Sequence, residues 1–259
     1  MSAAALRAFE LTGAERSAAL EWLHVHADVR GAIEGEDTVT VFVAGSLPAP
    51  PFGALALREI AVPTDSPTGL EHDRVIVVAD DLIVRPPWVA SPPGFAGIEL
   101  VVPRGAAFGS GEHDSTQAAL LMLHALWEIA APPPGCADVG TGSGILLLYA
   151  AARGCRHLQG CDIDAVAVAA AAELLPDARF AVGGPARLAP AACVVANMTG
   201  SELAAALDDI LALWDRRGPL VLAGMRATEV DGIRARLPGT PARTLTRGAF
   251  TALGYAGVR

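Results

Sequence analysis

The chain has 259 residues, 52% of them hydrophobic and only 18% charged, enough apolar mass for a sizeable core without disulfides or metal. Its net charge of −9 argues against direct nucleic-acid contact, which favours a basic stripe. With no basic-then-apolar leader and no apolar run approaching a membrane span, a cytoplasmic protein is expected. All basic residues are arginine and Asn197 is the only asparagine, a bias fitting GC-rich coding. Cys136, Cys155, Cys161 and Cys193 form no C-x-x-C pair and read as small buried residues, and the histidines show no ligand spacing, so no metal is indicated.

In chain order, Leu6 to Leu11 reads as a strand, and Ala14 to His26 as an amphipathic helix presenting Ala18, Leu20, Trp22, Leu23 and Val25. Val29–Ile33 and Thr38–Val43 make a hairpin around Gly35. Prolines 48, 50, 51 and 63 and the stretch Thr64 to Gly69 mark an irregular region, and Arg74 to Arg85 holds two strand-like runs before a proline-stiffened connection around Trp88. These features set a small α+β domain at 1–75, a linker at 76–96 and a larger domain at 97–259. From Gly97 strands and helices alternate: Ile98–Val102, a helix capped by Ser115 or Thr116 and running to about Ala131, Ile145–Arg153 with Gly154 as its stop, and Asp164–Leu175. Arg179–Val182, Ala192–Ala196, a helix from Ser201 to Trp214, Pro219–Leu222, and an antiparallel pair Thr244–Thr246 and Phe250–Gly254 complete it. That rhythm predicts an α/β fold, a doubly wound, mostly parallel sheet with an antiparallel last strand.

The chemistry concentrates between Cys136 and Asp164. Asp138 ends an apolar run, Gly140, Gly142 and Gly144 follow at alternate positions, and an apolar helix begins at once. A second run ends on Asp162, 22 residues beyond Gly140. This is a βαβ unit whose first turn lets a ligand approach the backbone, with a carboxylate placed to accept from a ribose diol. A nicotinamide dinucleotide site fits poorly, because the third glycine comes one residue early. An ordinary strand–glycine turn–helix is the bland alternative. The next aspartate, Asp164, suits a helix cap.

Asn197 ends another apolar run, where open α/β sheets place their ligands. It is either a turn residue in an Asx motif or a group that orients an acceptor; being neutral, an asparagine cannot act as a general base.

Four ordered segments, P-R-G-A-A-F-G-S-G-E-H-D-S-T (103–116), D-V-G-T-G-S-G (138–144), G-C-D-I-D (160–164) and V-V-A-N-M-T (194–199), resemble those of the PrmA family. That family belongs to the Rossmann-like class I S-adenosylmethionine-dependent methyltransferases and methylates amino groups of large-subunit ribosomal protein eleven. The resemblance covers about residues 74–256. It implies S-adenosylmethionine as cofactor, with Thr116 and the Phe108–His113 loop over it, Gly140, Gly142 and Gly144 forming the turn beneath it, and Asp162 on its ribose. Asn197 then faces the methyl-transfer position, as a catalytic residue that also touches the cofactor. His113 either contacts the ligand or braces the loop, while Glu112 and Asp114 read as solvated surface. Gly183-Gly184-Pro185 stands where the family has polar residues at the adenine edge, and Ala165 where it has proline. The N-terminal region, which carries substrate recognition in the family, looks shortened. The resemblance implies a ribosomal protein as partner; a redirected enzyme acting on another protein, peptide or metabolite, and a catalytically silent cofactor-binding protein, are the alternatives.

Overall fold

The computed structural model describes residues 6–34, 37–60, 74–103 and 108–257. The chain divides into two compact units, Met1–Glu71 and His72–Arg259.

In the first unit, β1 (Leu6–Thr12), α1 (Arg16–His26), β2 (Val29–Glu34), β3 (Thr38–Ala44) and β4 (Ala56–Ile60) build an antiparallel sheet in the order β2-β3-β1-β4. Alternation places Phe9, Leu11, Val39, Val41 and Val43 in one core with Ala19, Leu20 and Leu23 of α1. The apolar stripe of α1 is narrower than its sequence implies: Val25 lies 78% exposed, off the face set by Leu20 and Leu23, and Ala18 is also exposed. The hairpin between β2 and β3 forms as expected, while Gly35 falls outside the described residues, as does the stretch from Thr64 to Gly69. Strand β4 was not foreseen, because Ala-Leu-Arg-Glu-Ile is mostly exposed and lacks an alternating apolar signature.

The second unit opens with β5 (Ile76–Ala79), β6 (Leu82–Arg85) and β7 (Ile98–Val101), a three-stranded sheet in that order. The stretch expected to act as linker therefore contains two paired strands, and Val78, Leu82 and Val84 enter the main core of this unit. There follow α2 (Asp114–Ile129), β8 (Gly135–Val139), α3 (Ile145–Ala152), β9 (His157–Asp162), α4 (Ala165–Leu174), β10 (Arg179–Val182), β11 (Cys193–Asn197), α5 (Gly200–Leu213), β12 (Leu220–Arg226), α6 (Ala227–Arg234), β13 (Arg243–Arg247) and β14 (Phe250–Tyr255).

Seven strands pair in the order β10-β9-β8-β11-β12-β14-β13. β8 to β12 are parallel, and β14 runs antiparallel between β12 and β13. This is the doubly wound, mostly parallel sheet that the strand–helix rhythm predicts, in the Rossmann-like class I methyltransferase arrangement that the resemblance implies. The central strands are buried throughout, so they read as apolar runs; all four cysteines are buried. Helix α3, apolar all round, belongs to one core with α2, whereas Leu203, Leu207 and Ile210 of α5 belong to a second core. The chain leaves β8 for β9 on one side and reaches β11 on the other, so the order reverses beside β8. Ligands of open α/β sheets bind at the carboxyl ends of strands at such a reversal.

Three local outcomes refine the sequence reading. His113, not Ser115 or Thr116, caps α2: its Nδ1 accepts from the Ser115 backbone N–H at 3.3 Å and lies 2.8 Å from the Ser115 hydroxyl. Asp164 caps α4 as expected, accepting from Val166 N–H at 2.8 Å. At the end of α3, Gly154 N–H donates to Ala151 O and Cys155 N–H to Ala150 O, the Schellman closure for which the left-handed Gly154 is suited.

Candidate functional site

A cavity of about 700 Å³ opens at the carboxyl edge of β8, β9, β11 and β12, within the size range of small-ligand sites. Its lining includes Phe108, Gly140, Gly142, Asp162 and Asn197, five of the seven residues the sequence singles out. The local chemistry of the chain brings them together. Gly140 N–H and Thr141 N–H both donate to Cys161 O, at 2.9 and 3.0 Å, folding the turn after β8 onto the end of β9. Gly142 N–H donates to Asp162 Oδ2 at 2.9 Å, and Asp162 Oδ1 accepts from Asp164 N–H at 3.0 Å. The carboxylate is thus fixed by two backbone donors, and because a carboxylate has roughly four acceptor positions, about two remain for a ligand.

The segment holding Phe108 is fastened to the same turn. Ser143 N–H donates to Phe108 O at 2.8 Å, and the Ser143 hydroxyl to Gly109 O at 2.7 Å. Gly142 makes this approach possible: its φ is +53°, and a Cβ there would drive into Phe108 O. Residues 104–107, the first part of the expected cofactor loop, lie outside the described residues. The Phe108 ring is 56% exposed at the cavity edge and meets His113 edge-on at 5.2 Å, while His113 lies 4.7 Å from the Phe250 ring. His113 thus caps α2, packs between the Phe108 and Phe250 rings and lines the cavity.

Thr116 and Gly144 stand behind the lining. Thr116 is 1% exposed, and its hydroxyl accepts from Asn197 Nδ2 at 3.4 Å. Gly144, left-handed at φ +84°, faces Ala171, where a Cβ would come within 3.2 Å, so its place is the start of α3 beside α4. Asn197 Oδ1 is buried with no hydrogen-bond partner among the described residues.

Asp138, at the end of β8, is fully buried. Its Oδ2 accepts from the Thr141 hydroxyl at 2.9 Å, and its Oδ1 has no partner among the described residues. Burial pushes its pKa up to about 7, with the Thr141 bond opposing the rise and the Asp162 charge adding to it.

Several lining residues escape the sequence reading: Met198, Glu202, Arg226, Glu229 and Phe250. Glu202 carries a readable signal, since Thr199-x-x-Glu202 is a capping box. Glu229 bonds Arg226 N–H at 2.7 Å at the start of α6. That helix has a glycine at 232 and only one buried apolar residue, Ile233, which hid it. Phe250 reaches the cavity only because β14 pairs with β12, placing it opposite Arg226.

Residues 75–241 match the family described as ribosomal protein L11 methyltransferase (PrmA). Similar proteins include ribosomal protein L11 methyltransferases of Desulfosudis oleivorans, 32% identical over 64% of this chain and 58% of its own length. Another, from Ectopseudomonas mendocina, is 35% identical over 61% of this chain and 55% of its own length. A third, from Syntrophotalea carbinolica, is 39% identical over 38% of this chain and 32% of its own length. The chain thus spans between 32% and 58% of the length of these three curated relatives. Among solved structures, the ribosomal protein L11 methylase of Lactobacillus delbrueckii subsp. bulgaricus superposes with a TM-score of 0.62 at 23% identity, over 71% of this chain and 99% of that one, a likeness of fold. Because the family match covers most of the chain and includes the glycine turn, Asp162 and Asn197, the chain belongs to the ribosomal protein L11 methyltransferase (PrmA) family.

Proposed function

We propose that the chain is an S-adenosylmethionine-dependent methyltransferase acting on amino groups, lysine or N-terminal, of ribosomal protein L11. The observation that carries this reading is the meeting of Gly140, Gly142, Asp162 and Asn197 on one cavity at the sheet's carboxyl edge.

The residues present suit that cofactor. Asp162, held by Gly142 N–H and Asp164 N–H, keeps acceptor capacity for the two hydroxyls of a ribose. The turn at Gly140 and Gly142 leaves backbone in contact with the cavity, and no phosphate site is required of it. The unpartnered Asn197 Oδ1 is an acceptor available to an amine, once the side chain adjusts. When bound, S-adenosylmethionine supplies a methyl group made electrophilic by its sulfonium centre.

Asn197 orients the acceptor so that the nitrogen lone pair faces that methyl group, and positioning of this kind supplies much of the acceleration in a displacement. The Phe108 ring screens the cavity edge from water. The acceptor must first lose a proton, which at pH 7 costs roughly 4–5 kcal/mol for lysine and about 1 kcal/mol for an α-amine. In this reading residues 1–75 recognise the protein substrate, and the second unit, which takes in the strands at 76–79 and 82–85, carries the chemistry. The setting is cytoplasmic, without direct nucleic-acid or membrane contact; no helix among the described residues is long and apolar enough to cross a membrane.

A second reading has its own support. The family match begins at residue 75, so the first unit lies outside it. An enzyme with the same chemistry and a different protein, peptide or metabolite as acceptor fits that limit. Incubation with methyl-labelled cofactor, first with purified ribosomal protein L11 and then with a lysate lacking the endogenous enzyme, separates the cases. Label on amino groups of the ribosomal protein supports the first reading, and label on another species the second. Cofactor binding without transfer to any acceptor would leave a silent binding protein.

A further inference from the structure

The rim of the cavity beside Asn197 carries a carboxylate that the fold holds in place. Glu229 Oε2 accepts from Arg226 N–H at 2.7 Å, which fixes the side chain at the start of α6. The rest of the carboxylate lies over Gly200, the first residue of α5, where a Cβ would fall 2.6 Å from each of its oxygens. A Cβ at 200 would push the carboxylate out of that place. Strand pairing sets Phe250 opposite Arg226, the residue whose N–H holds this carboxylate, and the His113 ring lies 4.7 Å from the Phe250 ring. Glu229, Phe250 and His113 all line the cavity. A fixed anion and aromatic rings lining one cavity are the chemistry that binds an alkylammonium group: the carboxylate attracts its charge, and ring quadrupoles attract a cation even when it carries methyl groups. Arg226 lines the same cavity.

We propose that Glu229, kept in position by Gly200, and the Phe250 ring form an acceptor subsite that selects an alkylammonium side chain over a neutral one of the same length. This specificity role rests on the amino-group methyltransferase reading above. Glu229 acts in capture of the acceptor; Asn197 remains the residue at the transfer position.

The test uses the full chain saturated with S-adenosylhomocysteine, titrated with N-acetyl-lysine amide and with the amide of N-acetyl-2-aminoheptanoic acid, whose side chain ends in a methyl where lysine has its ammonium, followed by amide NMR. A combined carboxylate and ring contact predicts a preference of about tenfold for the lysine derivative. Glu229→Gln and Gly200→Ala should each reduce that preference to less than about threefold, with S-adenosylhomocysteine affinity unchanged. Gly200→Ala is an informative partner because alanine favours a helix, so its effect reports the displaced carboxylate and not a lost fold. Phe250→Leu should weaken the lysine derivative alone. Equal binding of the two amides to the wild-type protein, or a preference that survives Glu229→Gln, overturns the proposal. Methyl transfer to a lysine peptide, measured separately, keeps the two readings apart: preference without transfer counts against the methyltransferase, and transfer without a Glu229-dependent preference counts against this subsite.

Discussion

Asn197 Nδ2 donates to the Thr116 hydroxyl at 3.4 Å, joining the end of β11 to the first turn of α2 across 81 residues of sequence. The contact assigns the two residues different work: Thr116 is buried away from the cavity, and Asn197 lines it.

Asn197→Ala should lower turnover by roughly 100-fold while changing the calorimetric affinity for S-adenosylmethionine only a few-fold, because misplacing an acceptor costs rate more than ground-state binding. Thr116→Val, which removes the acceptor of the Nδ2 bond, should move turnover in the same direction by less. If cofactor affinity collapses along with turnover in the Asn197 variant, the residue is a cofactor ligand first.

Asp162→Ala should weaken S-adenosylmethionine binding by roughly 1–3 kcal/mol, the scale for hydrogen bonds to a charged acceptor. The same change strands Gly142 N–H and Asp164 N–H, which now share that carboxylate. Asp162→Asn separates the effects, since its amide oxygen retains one backbone bond. Unchanged affinity in a folded Asp162→Ala protein removes the ribose assignment.

Gly142→Ala should destabilise the fold, because left-handed backbone costs a side-chain-bearing residue roughly 1–2 kcal/mol before any clash, and here the new Cβ meets Phe108 O. The control is Gly184→Ala, where φ is −89° and no atom lies within 4 Å of the added Cβ. Urea unfolding should show a loss for the first and near-neutrality for the second. Equal midpoints would mean that the turn relaxes freely and that Ser143 alone fastens the loop.

What could be read from the sequence was local. The glycine turn, the strand end at Asp162, the cap at Asp164 and the stop at Gly154 depend on residues within a few positions of one another, and each lies where its spacing places it. The α2 cap went to His113 because its imidazole reaches Ser115 N–H, a job usually looked for in serine, threonine or aspartate. Phe250 and Glu229 were illegible for another reason. Their place at the cavity follows from pairing of β12 with β14 and from the packing of α6 over Gly200, and neither leaves a periodic trace.

Asp138 gives the stability a pH dependence of defined sign. Its pKa rises from an ordinary 3.8 to about 7 on folding, chiefly through burial, so between those values the folded protein holds a proton that the unfolded chain has released. The resulting stabilisation is complete below the unfolded pKa and is lost as pH rises through the folded one. A rise of this size corresponds to roughly 2–4 kcal/mol. Asp138→Asn cannot titrate, yet its amide oxygen can still accept from the Thr141 hydroxyl. The amide nitrogen replaces Oδ1, which has no partner among the described residues, and this adds a cost that does not vary with pH. Urea unfolding of both proteins from pH 4 to pH 8 isolates the titrating part, since other groups, including Asp162, Cys136 and Cys161 nearby, are common to both. Relative to wild type, the variant should gain stability steadily across that range and level off above about pH 8. Parallel curves would show that Asp138 is already ionised in the folded protein, with water or a reoriented donor supplying Oδ1.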